Sequence, residues 1–422
     1  MLPWIHLFAD ESGVTWPCCR TVGEGAPNRG DDGEPRRVHD PEGLRAAMNT
    51  APMRALRREM LEGTRPAACA RCFMVEDLGI TSHRQDENAA WREEIPALVA
   101  ATGPDGSIAA ELRTADLRLG NVCNLRCRMC SPQSTRALLP EWATYHGVPL
   151  RHPYFDRFRG VDWFEDPAFW QLVEEEAPGL QRINFAGGEP FLIDGMFDFL
   201  ERLVASGRAP MMTISYNTNL TVLPPRLLAL WPRFGSIRVT ASIDGVGAVH
   251  ELIRHPSKWE DVRDNLQFLD RRASALKLGL ATNTAVQACN VFGLGRLLEF
   301  LTGELSSFEV PNLTIVTHPA HLDVRVLPSA MKAEATRILE AVVADQSSRW
   351  RDRWGDEGCG RLQRAIVGIC THMNEADATA LLPEFQRWST FLDDSRGQST
   401  ATAVPELASL FANLDPPGLT PK

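Results

Sequence analysis

Between residues 112 and 316 short apolar runs recur, separated by longer stretches in which apolar positions return every three or four residues. That rhythm is the one produced by strands alternating with helices in parallel α/β units. The predicted strands are Leu112–Leu119, Arg182–Phe185, Met211–Tyr216, Ser236–Ser242, Leu278–Val286 and Leu313–Val316, with helices such as Met196–Ala205 and Trp259–Leu269 between them. Six units of this kind fall two short of a full (β/α)8 barrel, so the pattern predicts a partial (β/α)6 TIM barrel. Upstream the rhythm differs. Trp4 to Asp10 alternates as a strand does, Glu11-Ser12-Gly13 turns the chain, and Val14-Thr15-Trp16 completes a hairpin that ends at Cys18-Cys19. A polar loop over 21–40 is followed by helical spacing from Asp40 to Gly63 through Leu44, Met48, Met53, Leu56 and Met60, with Gly63 as the C-cap. Downstream of 329 helical patterns dominate, and Pro416-Pro417-Gly418 opens a frayed tail. The expected organisation is an N-terminal module over 1–83, a linking segment over 84–110, the partial barrel over 111–328 and a helical region over 329–422.

Composition narrows the function classes. A chain of 422 residues with 44% hydrophobic and 23% charged residues has the makeup of an ordinary globular protein of more than one structural unit. Its net charge of −10 argues against a long nucleic-acid groove. No apolar run reaches the roughly 18 residues of a membrane span, and the first residues lack the basic and apolar regions of a signal peptide. The expected location is the cytoplasm. There, the ten cysteines read as metal ligands or catalytic groups before disulfides. They cluster as Cys18-Cys19, Cys69-Ala70-Arg71-Cys72 and Cys123, Cys127 and Cys130, while Cys289, Cys359 and Cys370 stand apart.

Three thiols in a CxxxCxxC run after a strand sit on a loop short enough to wrap one metal centre. Thiolates are the usual ligands of a [4Fe-4S] cluster, and three of them leave one of four irons open. Zinc is the competing reading, and would need a fourth Cys or His nearby. The run Cys123-Asn124-Leu125-Arg126-Cys127-Arg128-Met129-Cys130 resembles the CxxxCxΦC motif of the radical S-adenosylmethionine (SAM) superfamily, with Met129 at the position that lies near the adenine. Further segments resemble the same family. Gly187-Gly188-Glu189-Pro190 after the second strand matches its GGEP motif, which meets the methionine amino group of SAM. Asn217 and Asn219 end a strand that resembles its ribose-contacting strand. Ser242-Ile243-Asp244-Gly245, followed by Arg254, resembles the segment that meets the ribose or the methionine carboxylate. The resemblance implies a radical SAM partial barrel, a [4Fe-4S] cluster, SAM, and an electron donor such as ferredoxin or flavodoxin.

The N-terminal cysteines resemble a second feature of that superfamily. The hairpin from Leu2-Pro3-Trp4 to Cys18-Cys19, together with Pro66 to Cys72, is similar to the cluster-binding part of SPASM/twitch extensions. So is the distal Phe391 to Arg396. This implies an auxiliary [4Fe-4S] cluster held by Cys18, Cys19, Cys69 and Cys72. Adjacent residues of a strand point opposite ways, so one of Cys18 and Cys19 is expected to be structural; Cys19, Cys69 and Cys72 are favoured, and a zinc knuckle is the alternative. The substrate implied is a ribosomally made peptide, or alternatively a small molecule such as a sugar or aminocyclitol. A reading of another class is a non-catalytic iron–sulfur or zinc-binding protein. Cys289, just after the fifth strand, is the candidate hydrogen-atom donor, its competing reading being a buried small hydrophobe.

Overall fold

The computed structural model describes residues 1–412 apart from 23–24, 41, 78–80, 110 and 161. The chain divides into two units. The first comprises Met1–Val122, Gly160–Tyr216 and Ala229–Ser236, and the second comprises Cys123–Arg159, Asn217–Leu228 and the chain from Ile237 onward. The tail at Pro416-Pro417-Gly418 lies outside the described residues.

In the first unit the strands β1 (His6–Ala9), β2 (Thr15–Trp16), β3 (Thr114–Leu119), β4 (Arg182–Gly187) and β5 (Thr213–Thr218, whose last two residues enter the second unit) run in the order β2-β1-β3-β4-β5. Only β1 and β2 pair antiparallel, with Phe8 opposite Trp16. The others are parallel, His6 opposite Thr114, Thr114 opposite Arg182, and Arg182 opposite Thr213. Ala115, Leu117 and Leu119 are buried on one face of β3, while Asp116 and Arg118 on the other are half-buried. All four residues of β1 are buried, as in a strand covered on both faces.

Proline decides two local departures from the apolar pattern. Leu2–Ile5 forms a short helix where alternation predicts a strand, because Pro3 fits the first turn of a helix. The single helix expected over Asp40–Gly63 is two, Gly43–Met48 and Ala51–Leu61, since Pro52 lacks an N–H and is tolerated only in a first turn. Gly63 does end the second of these, at φ +75. The segment after residue 83 holds two short helices, His83–Ala90 and Ile95–Ala100.

The second unit contains β6 (Ser236–Ser242), β7 (Leu278–Val286) and β8 (Asn312–Ile315), parallel and in that order, with Ile237 opposite Leu278 and Asn283 opposite Asn312. Helices Trp259–Leu276 and Leu294–Gly303 connect them. Thereafter the chain is helical, in Ser329–Glu375, interrupted at Gly355 (φ +72), and Leu382–Arg396. The side chains of Leu298, Leu322, Leu339, Trp350, Phe385 and Leu392 share one apolar core. The fold is thus mixed α/β, mostly parallel, with the strand–helix progression of a partial barrel in β3–β8 and a helical C-terminal region.

Candidate active site

The loop after β3 carries the three clustered thiols. Cys127 is buried, and Cys123 and Cys130 are half-buried. The Cys130 thiol hydrogen-bonds that of Cys127, which lowers the pKa of Cys127 and, together with burial, raises that of Cys130. The charges of Arg254 and Arg396 also favour the Cys127 thiolate. Cys123 Sγ accepts from the Leu125 N–H at 3.4 Å, and the Asn219 amide Nδ2 lies 3.8 Å from it. Asn219 also donates to Asn124 Oδ1 at 2.9 Å and accepts from the Thr221 N–H and hydroxyl at 2.9 and 2.7 Å, which locks its orientation. Asn217, by contrast, is exposed. Met129 packs its side chain against the apolar core of its unit.

In the first unit, Gly187 and Gly188 close β4 against the end of the preceding strand. Gly187 takes φ +115, and a Cβ on Gly188 would stand 2.1 Å from the Val122 carbonyl oxygen. Hydrogen bonds from Gly188 N–H to Gly120 O (3.0 Å) and from Glu189 N–H to Val122 O (2.7 Å) seal this approach. Only glycine permits it. The buried Glu189 side chain accepts from the Phe191 N–H at 3.1 Å, and Pro190 starts the turn that follows.

At the end of β6 the Ser242 to Gly245 segment leads to a buried ion pair, Asp244 Oδ2 to Arg254 Nε at 2.7 Å. Burial pushes the Asp244 carboxyl up against the pull of Arg254. For Arg254 burial acts downward, but the charges of Asp244 and Cys127 outweigh it and hold the guanidinium protonated. Asp244 Oδ1 accepts from the Ala285 N–H at 2.7 Å, so this carboxylate is committed to holding β7 and Arg254. Ser242 is half-buried at the strand end.

Of the N-terminal cysteines, Cys18, Cys69 and Cys72 line one pocket. Burial pushes the Cys18 thiol up to about 11, with Cys69 and Cys72 adding to the effect. Cys19, favoured over Cys18 by the sequence, does not line that pocket. Burial pushes its thiol to about 12, and its charged neighbours are Asp116, Arg20 and Arg118. The two cysteines are adjacent and project differently, with Cys18 on the side of the CxxC pair. Cys289 is fully buried in the apolar core, and burial raises its thiol to about 11. Among the described residues no group of three or more His, Cys, Asp or Glu side chains is set to hold a single metal ion. The three thiols on the loop after β3 are soft donors of the number and kind that a [4Fe-4S] cluster takes with one iron left open.

Residues that the sequence does not single out also bear on this loop. Arg126 and Arg128, inside the CxxxCxxC run, are both engaged: Arg126 Nη1 donates to Glu141, 15 residues on, at 2.8 Å, and Arg128 pairs with Asp393, 265 residues on. A cue was present in two cationic residues interleaved with the thiols, but the partner of Arg128 lies beyond the reach of any local pattern.

No curated protein matches the chain. Among solved structures, native anSMEcpe with bound AdoMet is similar at 16% identity over 57% of this chain and 62% of that one, with a TM-score of 0.36. SuiB from Streptococcus suis, bound to the precursor peptide SuiA, is similar at 10% identity over 67% of this chain and 60% of that one, with a TM-score of 0.37. The matches thus span less than two thirds of either of those chains. The family model of the Radical SAM superfamily matches residues 117–274. That stretch takes in Cys123, Cys127 and Cys130, Gly187 to Pro190, Asn219 and the Asp244–Arg254 pair, and the chain accordingly carries a radical SAM superfamily domain.

Proposed function

We propose that this protein is a radical SAM enzyme with two iron–sulfur sites that abstracts hydrogen from a ribosomally made peptide. The observation that carries the first part is the family match across residues 117–274, with every segment expected to meet the cluster or SAM inside it. When bound by Cys123, Cys127 and Cys130, a [4Fe-4S] cluster supplies one-electron reductive cleavage of SAM to methionine and a 5′-deoxyadenosyl radical. The chain's own residues do the rest. Cys127 is favoured as thiolate, the form that binds iron. Asn219 steadies Cys123, and Asp244 holds Arg254 charged. Gly187 and Gly188 bring backbone close to Val122, which precedes Cys123. Electrons come from a ferredoxin or flavodoxin in this reading.

The second site is proposed at Cys18, Cys69 and Cys72, supported by their common pocket. Cys19 is left out of the ligand set because it does not line that pocket, and Cys289 out of the hydrogen donors because it lies in the apolar core. Anaerobic reconstitution tests the whole. About eight irons per chain, as two four-iron clusters require, and 5′-deoxyadenosine released under dithionite are expected. Zinc in place of iron with no SAM cleavage would refute it. Incubation with candidate precursor peptides, read by a mass change in the peptide, tests the substrate class against sugars and aminocyclitols.

A further inference from the structure

The thiols of Cys123, Cys127 and Cys130 sit on a loop with no regular secondary structure, so something else must fix its path. Backbone bonds do part of this: Arg126 N–H donates to His255 O at 2.7 Å and Arg128 N–H to Ile253 O at 2.9 Å. The Thr135 hydroxyl donates to Leu125 O at 2.9 Å, and further anchors come from the helix Leu382–Arg396. Arg128 is fully buried, donates to Leu252 O at 2.9 Å, and pairs with Asp393, which in turn accepts from the Thr400 N–H at 2.7 Å and its hydroxyl at 3.1 Å. Trp388 Nε1 donates to the Arg128 carbonyl at 3.2 Å. Three residues on from Asp393, and on the same face, Arg396 grips Glu141 with two bonds of 3.1 and 2.7 Å, and the same carboxylate receives Arg126 at 2.8 Å. Glu141 thus serves two guanidinium groups with one charge. The Arg396 side chain is fully buried, and its Nη1 has no hydrogen-bond partner.

We infer that the helix Leu382–Arg396 is a working part of the cluster site: Asp393 through Arg128, and Arg396 through Glu141 and Arg126, fix the three-cysteine loop, and Arg396 leaves one unneutralised positive charge beside it. These are positioning residues. Two consequences follow from elementary electrostatics. A buried charge-assisted bond that is lost frees the loop backbone, and a positive charge near a redox centre favours its reduced, more negative form. The charge part rests on the cluster assignment above, whereas the clamp part does not.

The experiment separates them. In the metal-free chain, Asp393→Asn is expected to speed amide hydrogen exchange at Arg128 roughly ten- to hundredfold, as loss of a charged hydrogen bond implies. Exchange at wild-type rates would refute the clamp, whether or not the protein binds iron. In reconstituted protein, the midpoint potential is followed on the EPR signal that changes when SAM is added. Arg396→Gln is expected to shift it negative and Arg396→Lys to restore it, a pattern that loosened packing alone does not give. An unshifted potential in Arg396→Gln, or no recovery in Arg396→Lys, would overturn the electrostatic role. Failure of the wild-type chain to take up iron would instead overturn the cluster assignment and with it that role.

Discussion

Alanine at Gly188 is the sharpest single test of how the GGEP segment is built. The new Cβ would stand 2.1 Å from the Val122 carbonyl oxygen, 2.5 Å from its carbon and 2.9 Å from its nitrogen. A tolerable carbon–oxygen contact is roughly 3.3 Å, so Val122 or Gly188 has to retreat by about 1 Å. Neither is free to do so. Glu189 N–H holds Val122 O at 2.7 Å and Gly188 N–H holds Gly120 O at 3.0 Å. Overpacking of about 1–3 kcal/mol and the loss of one hydrogen bond at about 1 kcal/mol give a destabilisation of about 2–4 kcal/mol. The functional cost is larger, because Val122 is joined directly to Cys123. A shift of about 1 Å at a reacting group costs on the order of a hundredfold in rate. The assay is release of 5′-deoxyadenosine under dithionite, quantified by chromatography, beside a circular-dichroism melt. Gly207→Ala is the control: it has φ +75 but nothing within 4 Å of a Cβ. Its cost is backbone strain alone, about 1–2 kcal/mol, with SAM cleavage unchanged. If Gly188→Ala cleaves SAM at the wild-type rate, or if the two variants behave alike, the close approach is not what the segment is for.

Three other outcomes are expected. Cys127→Ala abolishes 5′-deoxyadenosine release while Cys69→Ala retains some release uncoupled from substrate turnover, and a Cys127→Ala protein that still makes it refutes the assignment of the first cluster. Arg57 is fully buried and donates to the carbonyls of Pro3 (2.9 Å) and Gly106 (2.8 Å) and to Met48 O; Arg57→Met leaves these acceptors unpaired at about 1–3 kcal/mol each, which urea unfolding reads as a lower midpoint. His6 and His250 are buried, and burial first, then the charges of His83 and Arg182 for His6 and of Arg254 for His250, depresses both to about 3. Each unfolds to a histidine of pKa about 6.5, so the unfolded chain binds the extra proton. The stability they contribute is complete above that value and is lost as pH falls toward 3, by about 2 kcal/mol per histidine between pH 7.5 and 5. Urea midpoints at those two pH values should converge in a His6→Gln, His250→Gln variant, and an unaltered pH dependence would count against this.

How legible the molecule is in its sequence depends on the range of the interaction. The ends of β6 and β7 follow from apolar alternation alone, because one side of each strand is buried and the other is not. β3 begins at Thr114, two residues later than the pattern predicts, with Arg113 N–H already bonded to Ile5 O. Where proline interrupts, at Pro3 and Pro52, periodicity alone misjudges the element. The glycine pair at 187 and 188 is readable as a close approach, though the carbonyl it approaches, that of Val122, is not. At Cys18 and Cys19 the strand rule does not apply, since the chain has left β2 and Cys19 lies in a turn. Least legible are Arg128–Asp393 and Glu141–Arg396, whose partners lie 265 and 255 residues apart in the chain.

That the loop is held by buried charge as well as by apolar packing is itself informative. Replacing a buried ion pair with well-packed hydrophobic residues is often neutral or stabilising, so Arg128–Asp393 and Arg396–Glu141 are poor candidates for bulk stability. What they supply is direction. An apolar contact tolerates sliding by a fraction of a side chain, whereas a guanidinium on a carboxylate fixes both distance and plane. Three thiols that must meet one centre from an irregular loop need the second kind of constraint. Cys127 stands between the two arginines in sequence, so Arg126 anchored through Glu141 and Arg128 anchored through Asp393 leave it little freedom on either side. The buried Arg396 Nη1 without a partner fits the same reading. A donor left unpaired costs roughly 1–3 kcal/mol, a cost that stability does not explain and that a nearby anionic group would offset.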